Sequence, residues 1–197
     1  MSARAIIAVY NLASQSDIQA GLTWYADANI FAKRLSYKYG INRLAVIGVI
    51  ASLSPRNRWE RNMQDAENMI KVYAAGGDSN DLSAIKVCTF SAGKNKAIQI
   101  LIDKVSDRDE LLALLKGPKL CEFFNCIAGD SDDVCIDGHA YSIWLGDRVT
   151  LANVPSIGVK LRRTIKADYQ AAARILGVET YELQAITWVC WKRIHGV

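Results

Sequence analysis

An all-α fold of two helical lobes is what this chain predicts, and three observations carry that expectation. Apolar residues recur at helical spacing through most of the 197 residues. Cap and stop residues punctuate those stretches, and no run alternates apolar and polar residues as a half-buried strand would. With 51% hydrophobic and 22% charged residues and only 3 prolines, the composition is that of a globular chain with a real core.

Taken in order, "AIIAVYNLA" (5–13) is short for a membrane span and is interrupted by Asn11, so it reads as a buried first helix rather than a signal peptide. "SQSDIQAGLTWYADANIFAKRLSYKYG" (14–40) follows, with Ile18, Leu22, Tyr25, Ile30, Ala32 and Leu35 as its apolar face. Ser16 or Asp17 is its expected N-cap, and Gly40 its stop. "INRLAVIGVIASL" (41–53) is apolar nearly all round, which suits a central buried helix better than a strand.

Ser54 as N-cap and Pro55 at the first helical position predict a helix running to about Ala75. A polar loop, "GGDSNDLS", leads to a helix in "SAGKNKAIQILIDKV" and another in "SDRDELLALL", capped by Ser106. A tight turn at Lys116, Gly117 and Pro118 joins the latter to a helix starting on Pro118, a helix-hairpin-helix candidate. "DGHAYSIWLGDR", "GVKLRRTIKADYQAAARILG" and "ETYELQAITWVCWKRIHG" complete the series, the middle one stopped by Gly177. The hairpin at 115–119 falls in a lobe of about 41–128, and 1–40 with 129–197 make the second lobe of one unit.

Cys88, Cys121, Cys126, Cys135 and Cys190 are odd in number and form no paired metal-binding spacing. Buried free thiols in a reducing compartment are expected, with no metal and no cofactor. The net charge is a modest +4, but the cations gather in "SPRNRWER", "AGKNKA", "LKGPK" and "GVKLRRTIK". Each cluster is either a solvated helix end or one of several loops meeting phosphates.

The stretch "GPKLCEFFNCIAGDSDDVCIDGHAYSIWLG" (117–146) resembles the core of the helix-hairpin-helix (HhH-GPD) DNA glycosylase superfamily. Its hairpin ends in a Gly-x-Lys element, followed after a helix by an apolar-apolar-Asp-x-His element. Lys119 and Asp137 are 18 positions apart, as are the lyase lysine and catalytic aspartate of lyase-type members. "VIASLSPRNRWERNMQDAENMI" is similar to the family's duplex-inserting region, and "AGKNKAIQIL" to its loop-to-helix segment. The chain departs from the usual Pro-Gly-x-Gly hairpin, lacks the iron–sulfur tail of some members and has "SLSP" where a wedge glutamine often stands. As a whole it is similar to small phage-encoded relatives.

What the resemblance implies is an enzyme that flips a damaged or modified base from double-stranded DNA and cleaves its N-glycosidic bond. Such a bond leaves positive charge on the sugar, which a carboxylate at Asp137 would stabilise, or for which it would activate a nucleophile. The local alternative for Asp137 is an N-cap. Lys119 is a nucleophile for a lyase step or else a phosphate contact. Phosphate would be met by Lys116, Gly117, Pro118, Lys94 and Lys96, with His139 orienting its loop or touching phosphate. Ser54, Arg56 and Asn57 would fill the gap left in the duplex, and Trp24, Tyr25 and Trp59 would wall the base pocket unless they are core residues. Rival readings are a base-exchange transferase acting on modified phage-type DNA and a non-catalytic DNA-binding protein. A monomer without membrane attachment, in the cytoplasm or host cytoplasm, is expected.

Overall fold

The fold, taken from a computed structural model, is described for residues 2–196. Among them there are helices and connecting turns but no strand. The helices are α1 (Ser2–Asn11), α2 (Gln15–Tyr39), α3 (Arg43–Leu53), α4 (Trp59–Ala74), α5 (Ser79–Ala84), α6 (Ser91–Ile102), α7 (Arg108–Leu115), α8 (Pro118–Ala128), α9 (Gly138–Leu145), α10 (Val159–Leu176) and α11 (Thr180–His195). The chain divides into two compact units, one of residues 1–27 with 125–197 and one of 28–124. Helices α2 and α8 each run from one unit into the other.

In the 28–124 unit, α3 is the centre. Every residue from Ala45 to Leu53 is buried, as its all-round apolar sequence requires. Helices α4, α6 and α7 pack around it. Close approach of α6 depends on Gly93, where a Cβ would collide with the Ser52 carbonyl.

In the other unit, α1 packs on α9, α10 and α11. Its core joins Ile6 and Val9 of α1 to Ile136, Ala140 and Ile143 around α9, and to Ile165 and Tyr169 of α10 and Leu183 of α11. Gly21 of α2 lies so near the Ile186 backbone of α11 that no side chain fits between them.

Several sequence expectations are corrected in detail. Ser14, not Ser16 or Asp17, caps α2: its hydroxyl accepts from Asp17 N at 3.2 Å, and its own N–H donates to Asp17 Oδ2 at 2.8 Å. Ile30 is 61% exposed, because the buried face of α2 runs through Tyr25, Ala28, Ala32 and Leu35. Ser54 ends α3 rather than opening α4, which starts after Arg58 without a side-chain cap. The Pro55 signal was real as a helix boundary but belonged to a turn in which Arg56 takes a left-handed φ of 57°.

The supposed loop "GGDSNDLS" contains α5, whose N-terminus is closed by a capping box between Asp78 and Asp81. Asp107, not Ser106, caps α7, accepting from the N–H groups of Asp109 and Glu110. At the α7–α8 turn the left-handed residue is Lys116, with φ 51°, and Gly117 is not in that region. Of the cysteines, which are all free, Cys88 is exposed, and Cys126, Cys135 and Cys190 are buried.

Residues far apart in sequence close the first unit at Asp17. Arg193 Nε donates to both oxygens of this buried carboxylate, at 3.1 and 2.8 Å. The Arg193 hydrogen bond is the main cause holding the Asp17 carboxyl below its usual range; burial opposes it and Ser14 assists. A carboxyl depressed in the folded state binds fewer protons there than in the unfolded chain. Its stabilisation is therefore complete above the unfolded pKa of about 3.9 and disappears as pH falls through the lower folded value. Arg193→Gln should flatten this acid limb when urea midpoints are compared from about pH 6 down to about pH 2. A limb as steep as in the native protein would show that other carboxylates carry the acid sensitivity.

Candidate functional site

The local sequence fixes Asp137 before any chemistry is considered. Residues 133–137 between α8 and α9 have no regular structure, and Asp133 to Ile136 are all buried. Asp137 ends this segment in an extended conformation, φ −105° and ψ −171°, and its Oδ1 accepts from Ala140 N at 2.8 Å as the N-cap of α9. The cap and the candidate acid are thus the same carboxylate. Asp137 is half-buried, and among the described residues no donor reaches its Oδ2.

Gly138 permits a tight neighbour, since a Cβ there would stand 2.6 Å from Leu151 Cδ2 and 3.3 Å from Val154 Cγ2. Ser142 Oγ secures the far side of the same turn, donating to the Gly138 carbonyl at 3.0 Å.

Two buried phenols feel the Asp137 charge. Burial pushes the Tyr25 hydroxyl well above the ordinary tyrosine range, and Cys126, Cys135 and Asp137 push in the same direction. Tyr25 is a core residue, donating to Gln184 Oε1 at 2.7 Å. Burial raises the Tyr169 hydroxyl as well; nearby Thr187 opposes this, and Asp137 adds to it. Thr187 Oγ1 donates to the Leu183 and Gln184 carbonyls. Thr187 is a neighbour of the Tyr169 hydroxyl, which has no hydrogen-bond partner among the described residues.

Sequence reasoning missed the device that holds the segment before Asp137. Three side chains of α10, spaced four apart, grip it: Arg162 Nη1 donates to the Ile136 carbonyl at 3.1 Å, Lys166 Nζ to Asp133 Oδ1 at 3.0 Å, and Gln170 Nε2 to the Asp132 carbonyl at 3.1 Å. Asn125 Nδ2 adds a bond to Asp133 Oδ2 at 2.8 Å. Two cations of "GVKLRRTIK" are thereby engaged on the protein itself, while Lys160 and Arg163 remain exposed. The i, i+4, i+8 spacing of polar residues beside an apolar face was the available signal.

The predicted residues divide between the two units. Asp137, His139, Trp24 and Tyr25 belong to the first; Ser54, Arg56, Asn57, Trp59, Lys94, Lys96, Lys116, Gly117, Pro118 and Lys119 belong to 28–124. His139 is half-buried in the first turn of α9. Trp24 is half-buried and lies edge-on to Tyr25 and Trp188 at 4.8 and 6.2 Å between ring centroids.

In the second unit, the turn from Ser54 to Arg58 is fastened from behind. Asn57 Nδ2 and Cys88 N donate to the buried Asp65 Oδ2 at 3.1 and 2.8 Å, and Thr89 Oγ1 donates to the Pro55 carbonyl. Arg56 projects over the half-exposed Phe90 ring at 4.9 Å, and Trp59 packs edge-on against Phe123 at 6.5 Å.

Lys94 and Lys96 are engaged on carbonyls: Lys94 Nζ donates to Ser83 and Ile85, and Lys96 Nζ to Leu115 at the end of α7. Lys116, Pro118 and Lys119 are exposed around the α7–α8 turn. This unit holds 15 Lys and Arg against 10 Asp and Glu, whereas the other holds 9 against 10, so the excess positive charge resides in 28–124.

Among the described residues no group of three or more His, Cys, Asp or Glu side chains is placed to hold a metal ion, and no helix is long and apolar enough to cross a membrane. The dual position of Asp137 gives a direct measurement. Asp137→Asn retains a capping oxygen and should change stability by only a few tenths of a kcal/mol, whereas Asp137→Ala should cost about 0.5–2 kcal/mol in urea unfolding. Equal losses in both variants would mean that the charge, and not the cap bond, stabilises α9.

The family described as a family of unknown function (DUF7178) matches residues 1–195, and the chain belongs to it. No curated protein and no solved structure matches.

Proposed function

We propose that this DUF7178 chain is a DNA glycosylase-like enzyme that takes a damaged or modified base out of the duplex and cleaves its N-glycosidic bond through Asp137. The observation that carries the reading is the state of that carboxylate: Oδ1 is held by the Ala140 N–H, and Oδ2 has no donor among the described residues. A carboxylate oriented in this way can stabilise the positive charge that develops on the sugar, or take a proton from an attacking water. The cap bond supports the role, because it fixes the oxygen without neutralising the charge.

The DNA partner is supported by the charge excess in 28–124 and by the exposed cations at Arg56, Arg58, Lys116 and Lys119. In this reading the backbone N–H groups opening α8 meet a phosphate, a contact blind to sequence. The turn at Ser54 to Asn57 enters the space left by the flipped nucleotide. Arg56, with its left-handed backbone, would carry the leading side chain of that turn. In the unit that holds Asp137, half-buried Trp24 is the aromatic candidate for the extruded base, and Tyr25 supports it from the core.

The test is mass spectrometry of free bases released from a panel of damaged and modified duplexes. Native protein should release one base class, and Asp137→Asn should release it at least about a hundredfold more slowly while binding the same DNA equally well. Release undiminished in Asp137→Asn, or no release from any duplex, overturns the assignment. In the latter case, salt-sensitive binding alone would mark a DNA-binding protein.

A lyase step is read separately. If the Lys119 amine condenses with the C1′ aldehyde of the abasic sugar left after base release, losing water to form a Schiff base from which the 3′ phosphate is eliminated, Lys119→Gln should abolish strand nicking on a denaturing gel and leave base release within about threefold of native. Nicking that survives the substitution excludes Lys119 as the nucleophile.

A further inference from the structure

We infer that Arg162, Lys166 and Gln170 form a splint on α10 whose task is to hold Asp137 in its working position, an inference that rests on the glycosylase-like reading for its catalytic part. The argument starts from the backbone. Residues 133–136 are buried, yet they have neither a helix nor a sheet to pair their peptide groups. A buried carbonyl left without a donor costs on the order of a net hydrogen bond or more, so each must find a partner.

The splint meets the segment and its entry at three points, two backbone carbonyls and one carboxylate. Gln170 reaches Asp132, Lys166 reaches Asp133, and Arg162 reaches Ile136, the residue immediately before Asp137. Spacing of four places these three side chains in one row on α10. That row borders the buried face made by Ile165, Tyr169 and Ala173. The helix is therefore anchored in the core on one side and gives a fixed ruler on the other.

Arg162 is the critical member. Its bond to the Ile136 carbonyl bears on the peptide plane leading into Asp137, whose carboxylate accepts from Ala140 N at 2.8 Å and whose carbonyl accepts from Tyr141 N at 2.9 Å. Loss of the Arg162 bond loosens the approach to the cap and lets the carboxylate shift from its place. A shift of about 1 Å in a reacting group can cost about a hundredfold in rate. Arg162 is thus a positioning residue, distinct from Lys160 and Arg163, which are exposed and suited to phosphate.

Two readouts on the full chain test this. The first is amide hydrogen exchange of Ala140, the donor of the cap bond, referenced to Val46 in the other unit to correct for global stability. Arg162→Met should speed Ala140 exchange about tenfold, and Arg162→Lys, which keeps a donor, should restore most of the protection. The second is single-turnover base release set beside the dissociation constant for the same DNA. Arg162→Met should slow release about tenfold to a hundredfold with binding changed less than about twofold.

Ala140 exchange unaltered in Arg162→Met overturns the inference, and so does weakened DNA binding with an unaltered rate in the bound complex, which would make Arg162 a phosphate contact. Should the native protein release no base, the glycosylase-like reading fails and Ala140 exchange alone decides the splint. Should Arg162→Met not fold, Gln170→Ala at the far end of the row is the second variant. It should raise Ala140 exchange by about two- to threefold, and no change there counts against the splint.

Discussion

Hydrogen-bond satisfaction along one non-helical segment sets much of what surrounds it. Asp133 to Ile136 run buried through a unit that is otherwise helical. In a sheet protein neighbouring strands would take up their N–H and C=O groups; here side chains must do so. Asp133 turns inward and accepts from Val134 N, Asn125 and Lys166, and the Ser131 carbonyl accepts from the N–H groups of Thr180 and Tyr181 at the start of α11. The position of α10 and the start of α11 are thereby tied to a segment of a few residues. A small polar requirement, repeated at successive residues, fixes two long helices.

That arrangement also explains why a helix cap can double as a candidate acid. A cap usually sits at the surface, where its carboxylate is solvated and its neighbours are mobile. Asp137 instead ends a buried segment, and its charge is felt by Tyr25 and Tyr169, both deep in the core. The helix end thus supplies orientation, and the buried approach supplies rigidity. Neither property requires the carboxylate to give up its second oxygen.

The helices were legible because their signals are local. Asp137 as N-cap and Gly40 and Gly177 as stops were readable, and both glycines take a left-handed φ at the helix end. Boundaries failed where two neighbours offered the same chemistry, as with Ser106 beside Asp107 and with Ser14, Ser16 and Asp17. Ser54 and Pro55 failed differently: a Ser-Pro pair marks a boundary without saying which helix it bounds, and tertiary bonds from Thr89 and Asp65 settle the turn. The spacing of the α10 row was visible but its task was not, because a lysine or arginine beside an apolar face is ordinarily solvated. Only the tertiary fold brings the Asp132 and Ile136 carbonyls and the Asp133 carboxylate, some 30 residues earlier, within reach of those side chains.

The order of assembly follows from how the chain is distributed between its units. Residues 28–124 are continuous, whereas the unit that holds Asp137 is built from 1–27 and 125–197. Its closing contacts, Arg193 on Asp17 and Cys190 on the Val9 carbonyl, join residues 176 and 181 positions apart. On the ribosome the continuous 28–124 unit can begin to fold while the unit that holds Asp137 is incomplete, since domains form as their residues emerge. The carboxylate at 137 therefore emerges from the ribosome before α10 and α11 have emerged to hold it. Its geometry is a property of the whole unit, and the 28–124 unit with its excess of cations can be folded while that carboxylate is still unordered.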